Sequence, residues 1–246
     1  MARLPWVRTQ NPAFHLHAGD ISYAENGGGG LLTDPYDPRA WDSFFNEIEP
    51  AAGAIPWQVA IGNHEMETWY SPDGYGGQYA RFDFPGESSS ATPSVYYSWT
   101  YGNVAFVSLD ANDVSYEIPA NLGYSGGKQV AWLASTLAAL RKDPGIDFIV
   151  AYFHHCAYCT CTTHGSEPDS YEGDIDNLSC VASYINEPGG TTQDETVTWS
   201  QVRYTGYCLL VVESVPSSQP GKGTSTLKVR GLDEAGQELD SISLVR

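Results

Sequence analysis

Three short motifs carry residue types able to do chemistry: Gly19-Asp20-Ile21-Ser22-Tyr23, Gly62-Asn63-His64-Glu65 and His154-His155. Asp20 offers an acceptor-only carboxylate that can bridge two cations through its two oxygens, and Asn63 offers a neutral carbonyl oxygen. His154 adds a borderline imidazole nitrogen. Tyr23 can supply a phenolate where a trivalent metal lowers its pKa. His64, next to Asn63, can donate a proton to a leaving oxygen. Taken singly, Asp20 and Asn63 are ordinary turn residues and His154 an ordinary strand-end histidine. Glu65 reads as an anchor for its loop and His155 as a structural residue. What makes the set a candidate site is that each motif follows an apolar run, at the strand edge where open α/β sheets hold their ligands.

The elements that must present these motifs can be read from the surrounding pattern. Residues 13–18 form a short half-apolar strand ended by Gly19-Asp20. After a glycine-rich loop, Asp37 and Pro38 mark a helix start, with aspartate at the N-cap and proline at the first helical position. Trp41, Phe44, Phe45 and Ile48 give that helix its apolar face, and Pro50 with Gly53 is expected to stop it. Residues 55–61 form a second strand that delivers the Asn63 motif, so the strand-helix-strand order implies a crossover between parallel neighbours. Residues 95–100 and 104–109 read as a hairpin ending at Asp110. Val130, Leu133, Leu137 and Leu140 mark one face of a further helix, broken by Asp143-Pro144-Gly145. Residues 148–153, the most apolar strand, run directly into His154.

The region from Cys156 to Gln193 loses periodicity, and residues 197–246 resume with two to four antiparallel strands around the turn Asp233-Glu234-Ala235-Gly236. The expected organisation is one domain over residues 1–246: a motif-bearing core at 11–166, an irregular stretch at 167–196 and C-terminal antiparallel strands at 197–246. Five cysteines, three of them within Cys156-x-x-Cys159-x-Cys161, suit a loop disulfide, free thiols or a zinc site.

The 246 residues carry 30 acidic against 12 basic side chains, a formal charge of -18, which leaves no basic surface for a nucleic-acid partner. The same field repels anionic substrates, so a phosphate ester would need a local positive centre, and a bound metal is the usual one. No run of about 18 apolar residues is present, so no membrane span is expected. Met1 to Gln10 lacks the apolar stretch of a signal peptide and reads as a start inside a fold.

With the three motifs in this order behind three strands, the sequence resembles the purple acid phosphatases of the calcineurin-like metallophosphoesterase superfamily, bacterial type. Residues 202–207 and the final strands also look like bacterial members. The resemblance implies an α/β (α+β) fold, a metallophosphoesterase-type β-sandwich flanked by helices. It implies an acid phosphatase that hydrolyses phosphomonoesters by attack of a hydroxide held between two metals, iron and a second divalent ion (zinc, manganese or iron). Asp20 would bridge the metals, Tyr23 would bind iron, Asn63 and His154 would bind the second ion, and His64 would be the acid. A small phosphate ester is the implied partner and an exported or extracellular location is implied. The oligomeric state is not readable.

The sequence also departs from the family pattern. The Asp-containing turn expected before the first motif and the Gly-His-x-His motif expected after His154 have no counterpart here, so the sandwich is expected to be incomplete by one or two strands. Four of seven expected ligands are present, and His15, His17, His155 and His164 are the histidines able to substitute. Two further functions follow: an inactive relative with a partial metal site, which binds a ligand without turnover, and a carbohydrate-binding module, suggested by 7 Trp and 16 Tyr.

Overall fold

A computed structural model describes residues 4–25, 36–65, 75–85, 95–114, 122–155, 208–218 and 223–246, and every structural statement concerns these. The elements in order are α1 (Leu4–Thr9), β1 (His15–His17), α2 (Arg39–Ala52), β2 (Trp57–Val59), α3 (Gly76–Tyr79), β3 (Tyr97–Tyr101), β4 (Val104–Ser108), α4 (Lys128–Leu140), β5 (Phe148–Tyr152), β6 (Cys208–Val215), β7 (Thr226–Asp233) and β8 (Glu238–Val245). They form sheets of order β1-β2, β3-β4-β5 and β6-β7-β8. The mixture of helices and sheets agrees with the expected α/β class. Two compact units are present: Met1–Trp99 with Val107–Trp132 and Ala151–His155, and Thr100–Phe106 with Leu133–Val150 and Cys156–Arg246.

In the first unit, β1 and β2 pair in parallel with His15 opposite Trp57 and His17 opposite Val59, and α2 forms the expected crossover. Asp37 caps α2 as its sequence position suggests: Oδ1 accepts from the Arg39 N–H at 3.0 Å, and the Asp37 carbonyl accepts from Ala40 at 3.0 Å. The helix stops at Gly53, its C-cap, as expected, but Pro50 does not contribute to the stop. Pro50 lies inside the last turn rather than ending it, because a proline this late removes a single backbone bond; the Gly53 N–H still reaches Glu49 O at 2.9 Å. The Pro50 carbonyl accepts from Arg8 Nη1 at 3.0 Å. Trp41, Ile48 and Ala51 are buried on the face of α2, while Phe45 sits at the exposed margin.

His15 and His17 share one strand face, as their spacing predicted, and that face is aromatic. Their rings lie 4.3 and 5.6 Å from Trp57, and His17 also packs 6.0 Å from Phe44. Burial pulls both imidazoles down to about 4, so they are neutral core side chains.

The core-facing side of α4 is rotated from the expected one. Val130 is 60% exposed, and Gln129 is buried in its place. Gln129 clamps the end of β4: Oε1 accepts from the Asp110 N–H at 2.8 Å and Nε2 donates to the Asp110 carbonyl at 2.9 Å. Two backbone groups that the strand leaves unpaired are thereby satisfied, which outweighs burial of one valine.

In the second unit, β6, β7 and β8 form an antiparallel meander within the expected two to four strands, with Cys208 opposite Asp233 and Thr226 opposite both Val215 and Val245. The turn after β7 is held by Asp233 Oδ1, which accepts from Ala235 N and Gln237 N at 2.9 and 2.7 Å. Asp147 accepts from Asn103 Nδ2 at 2.8 Å and from Ser225 Oγ at 2.5 Å. Among the described residues no helix is long and apolar enough to cross a membrane. The cysteines at 156, 159, 161 and 180, His164 and the strand residues expected over 197–207 lie outside the described residues.

Candidate metal centre

All the described candidate residues fall in the first unit. The chain leaving β1 turns sharply: Gly19 has φ 94°, Asp20 φ 53° and Tyr23 φ 55°. For a non-glycine residue the left-handed region costs about 1–2 kcal/mol, so two such residues in four persist only where neighbours over-determine them. Glu65 does this. Its buried carboxylate accepts from Asp20 N at 2.8 Å, Ile21 N at 2.6 Å and Gly62 N at 2.8 Å, which ties the first and second motif turns to one side chain. Burial, and then the Asp20 charge, push the Glu65 carboxyl above its ordinary range, and the backbone donors oppose that shift. The anchoring role read for Glu65 from sequence matches these bonds.

The two glycines let the turns meet. A Cβ on Gly62 would collide with the Asp20 carboxylate and backbone nitrogen, and one on Gly19 would lie 2.7 Å from Gly62 N and 2.8 Å from His154 Cβ. The first two motifs are therefore in direct backbone contact, and the His154 side chain packs against the first.

At their meeting point is Asp20 Oδ2. The Tyr23 hydroxyl donates to it at 3.0 Å, and His154 Nε2 stands 3.2 Å away. His154 Nδ1 is 3.0 Å from the Ala18 carbonyl. A carbonyl only accepts, so Nδ1 carries a hydrogen and Nε2 is the ring atom turned toward a carboxylate oxygen. Two electron-rich atoms in that arrangement require a positive centre between or beside them, either a proton on Nε2 or a cation. Burial would raise the Asp20 pKa, but the hydrogen bond and charge of His154, with His64, hold it at about 2, so Asp20 is ionised.

This donor set fits a cation. Donors about 3 Å apart are what two ligands roughly 2.1 Å from one ion would present, and a ligating histidine usually gives its other N–H to a backbone carbonyl or carboxylate, as His154 does. Among the described residues no group of three or more His, Cys, Asp or Glu converges on one point. Asp20 and His154 are a pair, and the Tyr23 hydroxyl joins them at Asp20 Oδ2. Asn63 is buried and opens the short 3-10 turn Asn63–Glu65, immediately after the glycine that abuts Asp20.

His64 stands at the rim of this group. Its backbone N–H donates to Asp20 Oδ1 at 3.2 Å, its ring lies 4.2 Å from that of Tyr23, and its Nδ1 is 2.9 Å from the Glu25 carbonyl. By the same reasoning Nδ1 carries hydrogen, leaving Nε2 as the atom able to pass a proton. Tyr23 is 49% exposed, so this edge faces solvent. His155 is fully buried, in accord with a structural part.

Sequence reading missed a second buried polar cluster beside the site. Tyr75 OH donates to Asp110 Oδ2 at 2.5 Å, and Asn112 Nδ2 donates to Tyr75 OH at 3.2 Å and to the Gly62 carbonyl at 3.0 Å. Asp113 accepts from Ser125 Oγ at 2.6 Å and from Gln129 Nε2 at 3.0 Å. The available signal was the polar run Asp110-Ala111-Asn112-Asp113 directly after an apolar strand, the same pattern that marked the other motifs.

The calcineurin-like phosphoesterase family model matches residues 1–190. An uncharacterized protein of Mycobacterium tuberculosis is 37% identical over 153 residues, covering 61% of this chain and 28% of the relative. Probable inactive purple acid phosphatase 9 of Arabidopsis thaliana is 31% identical over 61% of this chain and 24% of its own length. The acid phosphatase type 7 of Homo sapiens is 30% identical, over 62% of this chain and 32% of its own length. The chain thus spans between 24 and 32% of the length of these curated relatives.

Proposed function

Because the chain belongs to the calcineurin-like phosphoesterase family, we propose that it is a metal-dependent hydrolase of phosphomonoesters, of the acid phosphatase type. The observation that carries this reading is the convergence of the Tyr23 hydroxyl and His154 Nε2 on one oxygen of Asp20. Asp20, Tyr23, Asn63 and His154 would hold iron and a second divalent ion (zinc, manganese or iron), with Asp20 able to serve both through its two oxygens. Bound there, such ions supply a Lewis acid that polarises the phosphoryl group and makes water a nucleophile near neutral pH.

The remaining work falls to the chain. Glu65 fixes the two turns that aim Asp20 and Asn63, and Ala18 fixes the His154 tautomer. His64, with Nδ1 committed to Glu25, gives the proton on Nε2 to the departing alcohol oxygen, so the leaving group departs neutral. With a formal charge of -18 the chain has no broad attraction for phosphate, so substrate binding depends on the local positive centre. In this reading residues 1–246 form one metallophosphoesterase domain of an exported protein acting on small phosphate esters.

The test is hydrolysis of p-nitrophenyl phosphate by the purified chain supplied with iron and with zinc or manganese. Turnover that Asp20→Asn abolishes supports the proposal, and absence of turnover in the loaded wild-type chain rejects it. One observation favours a second reading, an inactive relative that binds without turnover: among the described residues only two carboxylate or imidazole side chains meet at the site. Phosphate binding by the loaded chain without hydrolysis is its signature.

A further inference from the structure

We propose that Asn112 is a positioning residue for the second ligand turn: held by Tyr75 and Asp110, it fixes the Gly62 carbonyl and with it the Gly62–Asn63 peptide from which Asn63 projects. None of the three residues belongs to a ligand motif. Asn112 reaches the turn across 50 positions of sequence, with Nδ2 3.0 Å from Gly62 O.

The direction of each bond is determined. Asp110 Oδ2 accepts from Tyr75 OH, and Asp110 Oδ1 accepts from the Asn112 N–H at 3.0 Å. The Tyr75 hydroxyl hydrogen is thus spent, and its oxygen accepts from Asn112 Nδ2 at 3.2 Å. The second hydrogen of Nδ2 goes to Gly62 O. Reversing the amide would set oxygen against the Gly62 carbonyl, so this orientation is the stable one. Tyr75, Asp110 and Asn112 are each at most 1% exposed, and Gln129 grips the Asp110 backbone from both sides, so the chain of bonds has little freedom.

Asn112 Oδ1 has no hydrogen-bond partner among the described residues. That makes Asn112→Leu informative. A leucine of similar size removes a buried unsatisfied acceptor together with the two donors, and taking the Asn112 donor from the buried Gly62 carbonyl and Tyr75 oxygen lowers stability. Gly62 O thereby loses its Asn112 donor, and a urea midpoint checks that the variant is folded before the position of the turn is read. On the Gly62 side the turn has no slack, since a Cβ there would collide with Asp20. Released from Asn112, the Gly62–Asn63 peptide loses a bond that fixes its plane.

The metal consequence rests on the proposal that Asn63 is a ligand; the positioning itself does not. The experiment has two arms on the full chain. In the first, the metal-free protein is followed by nitrogen-15 NMR at Asn63, whose amide nitrogen senses hydrogen bonding to the preceding carbonyl. Asn112→Leu is expected to move the Asn63 nitrogen resonance upfield and Tyr75→Phe to move it less in the same direction. Ser125→Ala, in the same buried cluster on the Asp113 branch, is expected to leave it in place. An unmoved Asn63 resonance in Asn112→Leu, or an equal shift in Ser125→Ala, overturns the proposal; if the leucine variant does not fold, Tyr75→Phe decides. In the second arm, Mn²⁺ titration is expected to give a Kd raised about 10-fold in Asn112→Leu, as for supporting residues of metal ligands. An unchanged Kd overturns the positioning of a ligand. A wild-type chain that binds no Mn²⁺ rejects the functional reading instead, while the resonance of Asn63 still decides for or against positioning.

Discussion

At the scale of single residues, the site depends on which nitrogen of each histidine carries hydrogen. Backbone carbonyls of Ala18 and Glu25 place a hydrogen on each Nδ1, which turns the His154 Nε2 toward Asp20 and leaves the His64 Nε2 as the atom that the proposed function assigns to proton transfer. His64→Ala is therefore predicted to cost about 100-fold in kcat with an alkyl phosphate, the usual scale of a lost general acid. With p-nitrophenyl phosphate the loss should be much smaller, because that leaving group needs no proton. Equal losses on both substrates would mean that His64 acts otherwise. Asp20, Tyr23, Asn63, His64 and His154 were all nameable from the sequence because each follows an apolar strand and carries donor chemistry. Asn112 lay in the polar run after β4, which follows the same pattern, whereas Tyr75 follows no apolar strand and its buried bond to Asp110 leaves no trace in residue type.

At the scale of elements, two strands and two tight turns are pressed together through glycines. Gly62→Ala places a methyl against the Asp20 carboxylate and backbone and 3.0 Å from Glu65 Oε2. This should destabilise the chain by about 1–3 kcal/mol, as overpacking does. Gly102→Ala is the comparison: its Cβ would meet nothing within 4 Å, so only the left-handed backbone at φ 59° is strained, and the cost should be about 1 kcal/mol. Urea unfolding of both variants measures the difference, and equal losses would contradict close packing of the motif turns. The parallel pair β1-β2 with its crossover helix was legible from strand-helix-strand order. The face of α4 was not, because the apolar period of Val130, Leu133 and Leu137 competes with a glutamine whose amide satisfies the end of another strand. Pro50 was misjudged for a similar reason: its effect depends on how many bonds lie ahead of it, which composition does not reveal.

At the scale of the whole molecule, buried ionisable groups tie stability to pH. Burial holds the Asp110 carboxyl at about 6, above its ordinary 3.8, despite donors from Tyr75 and Asn112. Between those values the folded chain keeps a proton that the unfolded chain has released. The contribution of Asp110 is thus full below pH 4 and is lost as pH rises through 6, a fall of about 3 kcal/mol at roughly 1.4 kcal/mol per pH unit. Asp20 titrates lower, at about 2, so its opposite trend is complete before this window opens. Urea midpoints of the metal-free chain at pH 4.5 and 7 should differ more in wild type than in Asp110→Asn, and identical slopes would contradict the assignment. The overall fold class was legible from the alternation of strands and helices, and the C-terminal meander from its turn residues.

The central claim is that Asp20, Tyr23, Asn63 and His154 form a metal centre, and elemental analysis of the reconstituted, desalted chain tests it most directly. At least one ion per wild-type chain, falling well below one in Asp20→Asn, is the predicted result. A wild-type chain that retains well under one ion would contradict it.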